Sequence, residues 1–193
     1  MTATILGLPT SIALITAVLG IAVIGYVATR NRAMARAGGD ARNLHSLPNY
    51  YGMTAAMFAA VPALGVMVIW LLAQPMVVQN SVLPLIPASE ITSAGTQSLI
   101  LSDVRRVADG LDVAVSQGAL SPAEIGAMAD DPSSLRATLG EVGVALGSDV
   151  QPYVLAAAQK SRAMSAQGRL WMGVGVLALA VLGAGIALSL NAA

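Results

Sequence analysis

The chain has 193 residues, of which 56% are hydrophobic and 10% charged, and its formal net charge is zero. A soluble domain usually carries about 25% charged residues, so this deficit, with a mean hydropathy of +0.73, marks a membrane protein. With no cysteine and one histidine, His45, there is no material for disulfides, iron–sulfur clusters, thiolate zinc sites or an imidazole metal cluster. The few aromatic residues and the single short basic run argue against nucleic-acid binding.

Residues 1–29 carry no charged side chain. A helix from Thr10 to Ala28 would rise about 28 Å at 1.5 Å per residue, close to the hydrocarbon thickness of a bilayer. A cleaved signal peptide carries its positive charge before the apolar region. Here the arginines follow it, at Arg30, Arg32 and Arg36, which favours an uncleaved helix with its N-terminus outside. Residues 30–52 then form a cytoplasmic loop, whose first part holds four arginines against one aspartate. Gly38-Gly39-Asp40 should break any helix continuing from the first span. Tyr50 and Tyr51 fit interfacial anchors, and His45 reads as an interfacial polar residue rather than a ligand.

A second span is expected over residues 53–75. Ala55, Ala59 and Ala63 recur every four residues, a small-residue stripe that allows close helix approach. Pro62 should kink the helix, Trp70 suits the outer membrane boundary, and Gln74-Pro75 is read as the end of the span.

Between Met76 and Arg169 the character changes, with nine acidic residues against six basic ones, hence a net charge of −3. Leu99, Leu101, Val104, Val107, Ala108 and Leu111 can share one helical face, while Asp103, Arg105, Arg106, Asp109 and Asp112 fall mostly elsewhere. Ser121-Pro122-Ala123-Glu124 has the residues of a capping box with proline in the first turn. Asp131-Pro132 reads as a second helix start, with an end near Gly147, and Asp149 followed by Pro152 as a third. Strand signals are few. Residues 76–168 are therefore expected to form a helical extracytoplasmic domain. A third span with a short tail is expected over 169–193. Gly173, Leu177, Ala180, Ala184 and Ala187 would form its packing stripe, and Trp171 would mark its outer edge. The helix from Pro152 can pass into this span without a break. The fold class is thus all-α: a multi-pass membrane protein with three transmembrane helices and a helical extracytoplasmic loop domain.

Candidate chemistry is sparse. Adjacent carboxylates such as Asp130-Asp131 point apart on a helix and suit a solvated helix end. Arg105-Arg106 could meet an anion, but Asp103 and Asp109 beside them favour surface ion pairs. Gly140, Gly143 and Gly147 follow no strand, so they are not a phosphate-cradling loop. No charged residue falls within the apolar part of any span, the third running from about Leu170 to Leu190, and such a residue would be the default pointer to an ion or proton path. No catalytic, cofactor-binding or metal-ligating residue is expected, and the chain is not expected to be an enzyme.

The stretch AGGDARNLHSLPNYYGMTAAMFAAVPAL, Ala37 to Leu64, resembles the N-terminal region of the permease subunit of bacterial phosphate ABC transporters. The likeness extends more loosely to the preceding span and to LILSDVRRVADG, Leu99 to Gly110. The resemblance implies a multi-pass protein of the bacterial inner membrane. Its partners would be the permease core subunits and, through them, the ATPase and the periplasmic phosphate-binding protein. In that family the core permease helices and the loop that engages the ATPase would follow the third span. The chain is therefore expected to supply the N-terminal module, or an accessory component, without the translocation path. Other expectations are an independent membrane-anchored interaction protein whose outer helical domain binds a partner, and, third, a membrane sensor module.

Overall fold

The computed structural model describes residues 4–5, 8–43, 46–128, 132–146 and 149–190. His45, Asp130, Asp131, Gly147 and the tail Asn191–Ala193 lie outside the described residues. Apart from a two-residue antiparallel pairing of Thr4–Ile5 (β1) with Leu8–Pro9 (β2), the described elements are helical. They are α1 (Thr10–Arg36), α2 (Pro48–Val82), α3 (Ala94–Ser116), α4 (Pro122–Ala127), α5 (Leu135–Glu141) and α6 (Pro152–Leu190). Short 3-10 turns lie at Ala41–Asn43 and Leu83–Leu85. The chain divides into two compact units, residues 2–72 with 169–193 and residues 73–168, so α2 and α6 each contribute to both.

Three helices, α1, α2 and α6, are long and apolar enough to cross a membrane. Helix α1 stops where the glycine pair predicts. Gly38 and Gly39 have φ of 67° and 84°, left-handed values that glycine reaches without a Cβ penalty. The sequence reads Gln74-Pro75 as the end of the second span, and the helix itself continues past that point to Val82. A proline removes one backbone donor, but the apolar run after it has a partner. Val82 is 1% exposed and belongs, with Ile86, to the core of the 73–168 unit. Burying that turn outweighs one missing hydrogen bond.

The core of the 73–168 unit joins Leu101, Val104, Val107, Ala108 and Leu111 of α3 to Ile125, Leu135 and Leu139 from α4 and α5, and to Val154, Leu155, Ala157 and Ala158 of α6. The face expected on α3 is the buried one, except Leu99, which is 66% exposed. Ser93 caps α3 by accepting from the Thr96 backbone N–H at 3.2 Å. The capping box of α4 is complete: Ser121 Oγ accepts from the Glu124 N–H at 3.2 Å, and Glu124 Oε2 accepts from the Ser121 N–H at 2.7 Å. Helix α5 is shorter than the sequence suggests. It begins at Leu135 and ends at Glu141, because Gly143 turns the chain at φ 83°. Helix α6 runs from Pro152 to Leu190 without interruption, as expected.

Candidate functional site: a small-residue bundle and a guanidinium-lined pocket

In the unit of residues 2–72 and 169–193, each helix buries one narrow stripe. Helix α1 buries Leu14, Val18, Ala22, Gly25, Thr29 and Ala33. Helix α2 buries Gly52, Ala55, Ala59, Ala63 and Met67, and α6 buries Met172, Val176, Ala180, Gly183 and Ala187. The spacing of three or four residues keeps each set on one side of its helix. The alanine stripe of α2 is buried as the sequence predicts, with Ala55, Ala59 and Ala63 at 0% exposure. On α6 the stripe is corrected by one position. Gly173, Leu177 and Ala184 flank it at intermediate burial, while Ala180 and Ala187 lie within it.

Glycines set how near the helices come. A Cβ added at Gly183 would overlap the carbonyl group of Phe58 and stand 3.1 Å from Ala59 Cα, so the backbones of α2 and α6 are in direct contact there. A Cβ at Gly52 would lie 2.6 Å from the Tyr26 ring, and one at Gly25 would lie 3.3 Å from Ala184 Cβ. All three pairings are therefore glycine-mediated, the arrangement by which apolar helices gain packing without a hydrophobic drive between them. Toward the other end, Leu14, Val18, Met67, Met172 and Val176 form a larger-side-chain cluster, and Trp70 packs against it. Trp70 is thus partly buried in the bundle, and its Nε1 finds no hydrogen-bond partner among the described residues. That differs from the boundary anchor expected of it. Trp171 is 64% exposed.

One polar junction joins α1 to α2. Asn49 Oδ1 accepts from Tyr26 Oη and from Arg30 Nε, both at 3.2 Å. Outside the stripes the surface is aliphatic: Val23, Ile24, Val61, Ile69, Leu72, Val174 and Leu182 are each more than half exposed. So much apolar area uncovered on a protein marks a lipid or protein contact.

The 73–168 unit carries the polar features. Arg162 Nε donates to Asp112 Oδ1 at 2.7 Å, with side-chain exposures of 22% and 35%, tying α6 to α3. Gln159 Nε2 donates to the Ile125 carbonyl at 3.1 Å. Arg136 and Asp149 form an exposed pair at 3.2 Å. Burial raises the Tyr153 hydroxyl above its ordinary pKa, and the negative charges of Glu90 and Asp103 add to this. The Ser121 backbone N–H, and then its hydroxyl, hold the Glu124 carboxyl below the usual range.

An open surface pocket of about 430 Å³ lies beside α3, lined by the polar residues Ser102, Arg105, Arg106 and Asp109 and by the apolar Val113 and Val144. Surface ion pairs were expected for Arg105 and Arg106. Among the described residues, the ion pairs within 4.0 Å join other side chains, Arg136 to Asp149 and Arg162 to Asp112. Sequence spacing places Asp109 three and four residues from these arginines, where a helical pair can form, but it does not fix the rotamers that decide whether one does.

A family model described as phosphate ATP-binding cassette transporter matches residues 15–185. No curated protein and no solved structure gave a significant match. The matched region takes in most of each of the three long apolar helices and the residues between them, so the chain belongs to the phosphate ATP-binding cassette transporter family.

Proposed function

We propose that the chain is a membrane-embedded module or accessory component of a phosphate import permease, acting by helix packing and not by catalysis. The observation that carries this is the bundle itself. Part of its interior is filled by small residues, with backbone contact at Gly183, the rest by aliphatic side chains and Met, and the sequence places no Asp, Glu, Lys or Arg between Asn43 and Ser89 or after Arg169. An anion crossing hydrocarbon must be surrounded by donors. Among the described residues, the buried stripes of this interior carry no charged side chain, whereas the aliphatic exterior suits docking on other membrane helices. The translocation path then belongs to permease core subunits, and through them the chain meets the ATPase and the periplasmic phosphate-binding protein.

In this reading the protein lies in a bacterial inner membrane. Its N-terminus and the 76–168 domain are outside, residues 30–52 are cytoplasmic, and the spans lie over 1–29, 53–75 and 169–193. The arginines after the first span support that orientation. Reporter fusions at Ala41 and Ala119 should give cytoplasmic and periplasmic signals respectively, and the opposite pattern would overturn it. The functional test is purification of the tagged chain from its native host in mild detergent. Retention of permease core subunits is expected, and their absence would sink the proposal, as would phosphate uptake by liposomes holding this chain alone.

A further inference from the structure

We propose that the pocket beside α3 is an oxyanion-binding site, in which the guanidinium groups of Arg105 and Arg106 hold a phosphate group, free or esterified. Gly110 has no side chain, and a Cβ there would lie 3.1 Å from Val144 Cγ1 and 3.3 Å from the Leu139 methyls. Helix α5 and the residues after it can therefore come against α3. Gly143, at φ 83°, turns the chain so that the Val144 N–H returns to the Leu139 carbonyl at 2.8 Å, the closing bond of a helix C-terminal motif. That turn brings Val144 to the same open pocket of about 430 Å³ that the arginines line.

The charges in this space are unbalanced. Two arginines and one aspartate, Asp109, line it, in a segment that is otherwise net acidic. Asp103, two and three positions before the arginines, is not among the lining residues, and Asp112 is engaged by Arg162 at 2.7 Å. Neither Arg105 nor Arg106 forms an ion pair within 4.0 Å among the described residues. Guanidinium presents planar N–H forks that match tetrahedral oxyanions, and the Ser102 hydroxyl can add a further polar contact. Asp109 opposes a fully ionised anion, and that makes the sign of its removal a test of where the anion sits.

The inference does not depend on the transport proposal, because it concerns binding by the chain alone. The full chain, purified in a maltoside detergent that carries no phosphate, is dialysed against radiolabelled inorganic phosphate. Saturable binding is expected. Arg105→Gln with Arg106→Gln should weaken it by about tenfold or more, as expected for losing charge-assisted hydrogen bonds, with an unchanged far-UV spectrum and melting temperature. Arg136→Gln, a distant control, should leave it unaltered. Asp109→Asn should tighten it several-fold. Sulfate should compete. Competition by glycerol phosphate as well would assign the site to phosphate esters such as lipid headgroups, and its failure would assign it to the free anion. Absence of saturable binding by the folded chain, unchanged affinity in the double variant, or weaker binding by Asp109→Asn would each overturn the proposal.

Discussion

A single methyl group at position 183 tests the packing of the bundle. In Gly183→Ala the new Cβ meets backbone, not a movable side chain: the Phe58 carbonyl carbon at 2.6 Å and Ala59 Cα at 3.1 Å. Relief requires α2 and α6 to part by about 0.5–1 Å, which forfeits a quarter to a half of each contact of about 0.1–0.2 kcal/mol. Over on the order of 40 atom pairs along the two stripes, the loss is about 2 kcal/mol, within the range for overpacked cores. Gly185→Ala is the matched control, since a Cβ there meets nothing within 4 Å, and it should be neutral or slightly stabilising through helix propensity. Both variants can be unfolded in mixed micelles with rising dodecyl sulfate and followed by circular dichroism. The expected result is a clear loss for Gly183→Ala and none for Gly185→Ala. Equal stability of the two would refute close backbone packing at this crossing.

Leucine at both Ala59 and Ala63, each fully buried, should destabilise the bundle by more than Gly183→Ala does in the same micelle assay. Leucine at the exposed Val61 should have little effect. Asp112→Ala should cost about 1–3 kcal/mol by stranding a partly buried guanidinium, read as a lower unfolding midpoint, and Arg162→Met with Asp112→Leu should recover part of it. Glu124 has its folded pKa below the ordinary 4.5. The stabilisation from its ionised cap is therefore present above that value and lost as pH falls through the folded pKa. Glu124→Gln should flatten the dependence of stability on pH below about 4.5, and an unchanged profile would count against the cap.

Local signals carried well from sequence to structure where the deciding interactions are local. The glycine pair after Arg36 and the capping box at Ser121 each concern a few consecutive residues, and both appear as read. The alanine stripe of α2 also carried over, because all its small residues lie on one face. The α6 stripe was displaced because it was chosen by residue size, whereas the helix presents Met172 and Val176 where its neighbours leave room. The extension of α2 beyond Pro75 was illegible for a similar reason: its support comes from Val82 meeting residues distant in the chain. The pocket depends on Gly110, Gly143 and Val144 acting together across α3 and α5. Sequence shows the two arginines but not the pocket they line.

The junction at Asn49 has a consequence for depth. Arg30 follows the apolar part of α1 directly, and Asn49 lies at the start of α2, so in the proposed membrane placement their hydrogen bond would fix the level at which both helices leave hydrocarbon. The uncharged part of α1 from Thr10 to Thr29 spans about 30 Å, a typical core thickness. Two helices pinned at one boundary cannot answer a thicker bilayer independently. They must tilt together or thin the lipid around them. Asn49→Ala would release that constraint, and its effect on stability should grow with acyl-chain length in reconstituted bilayers.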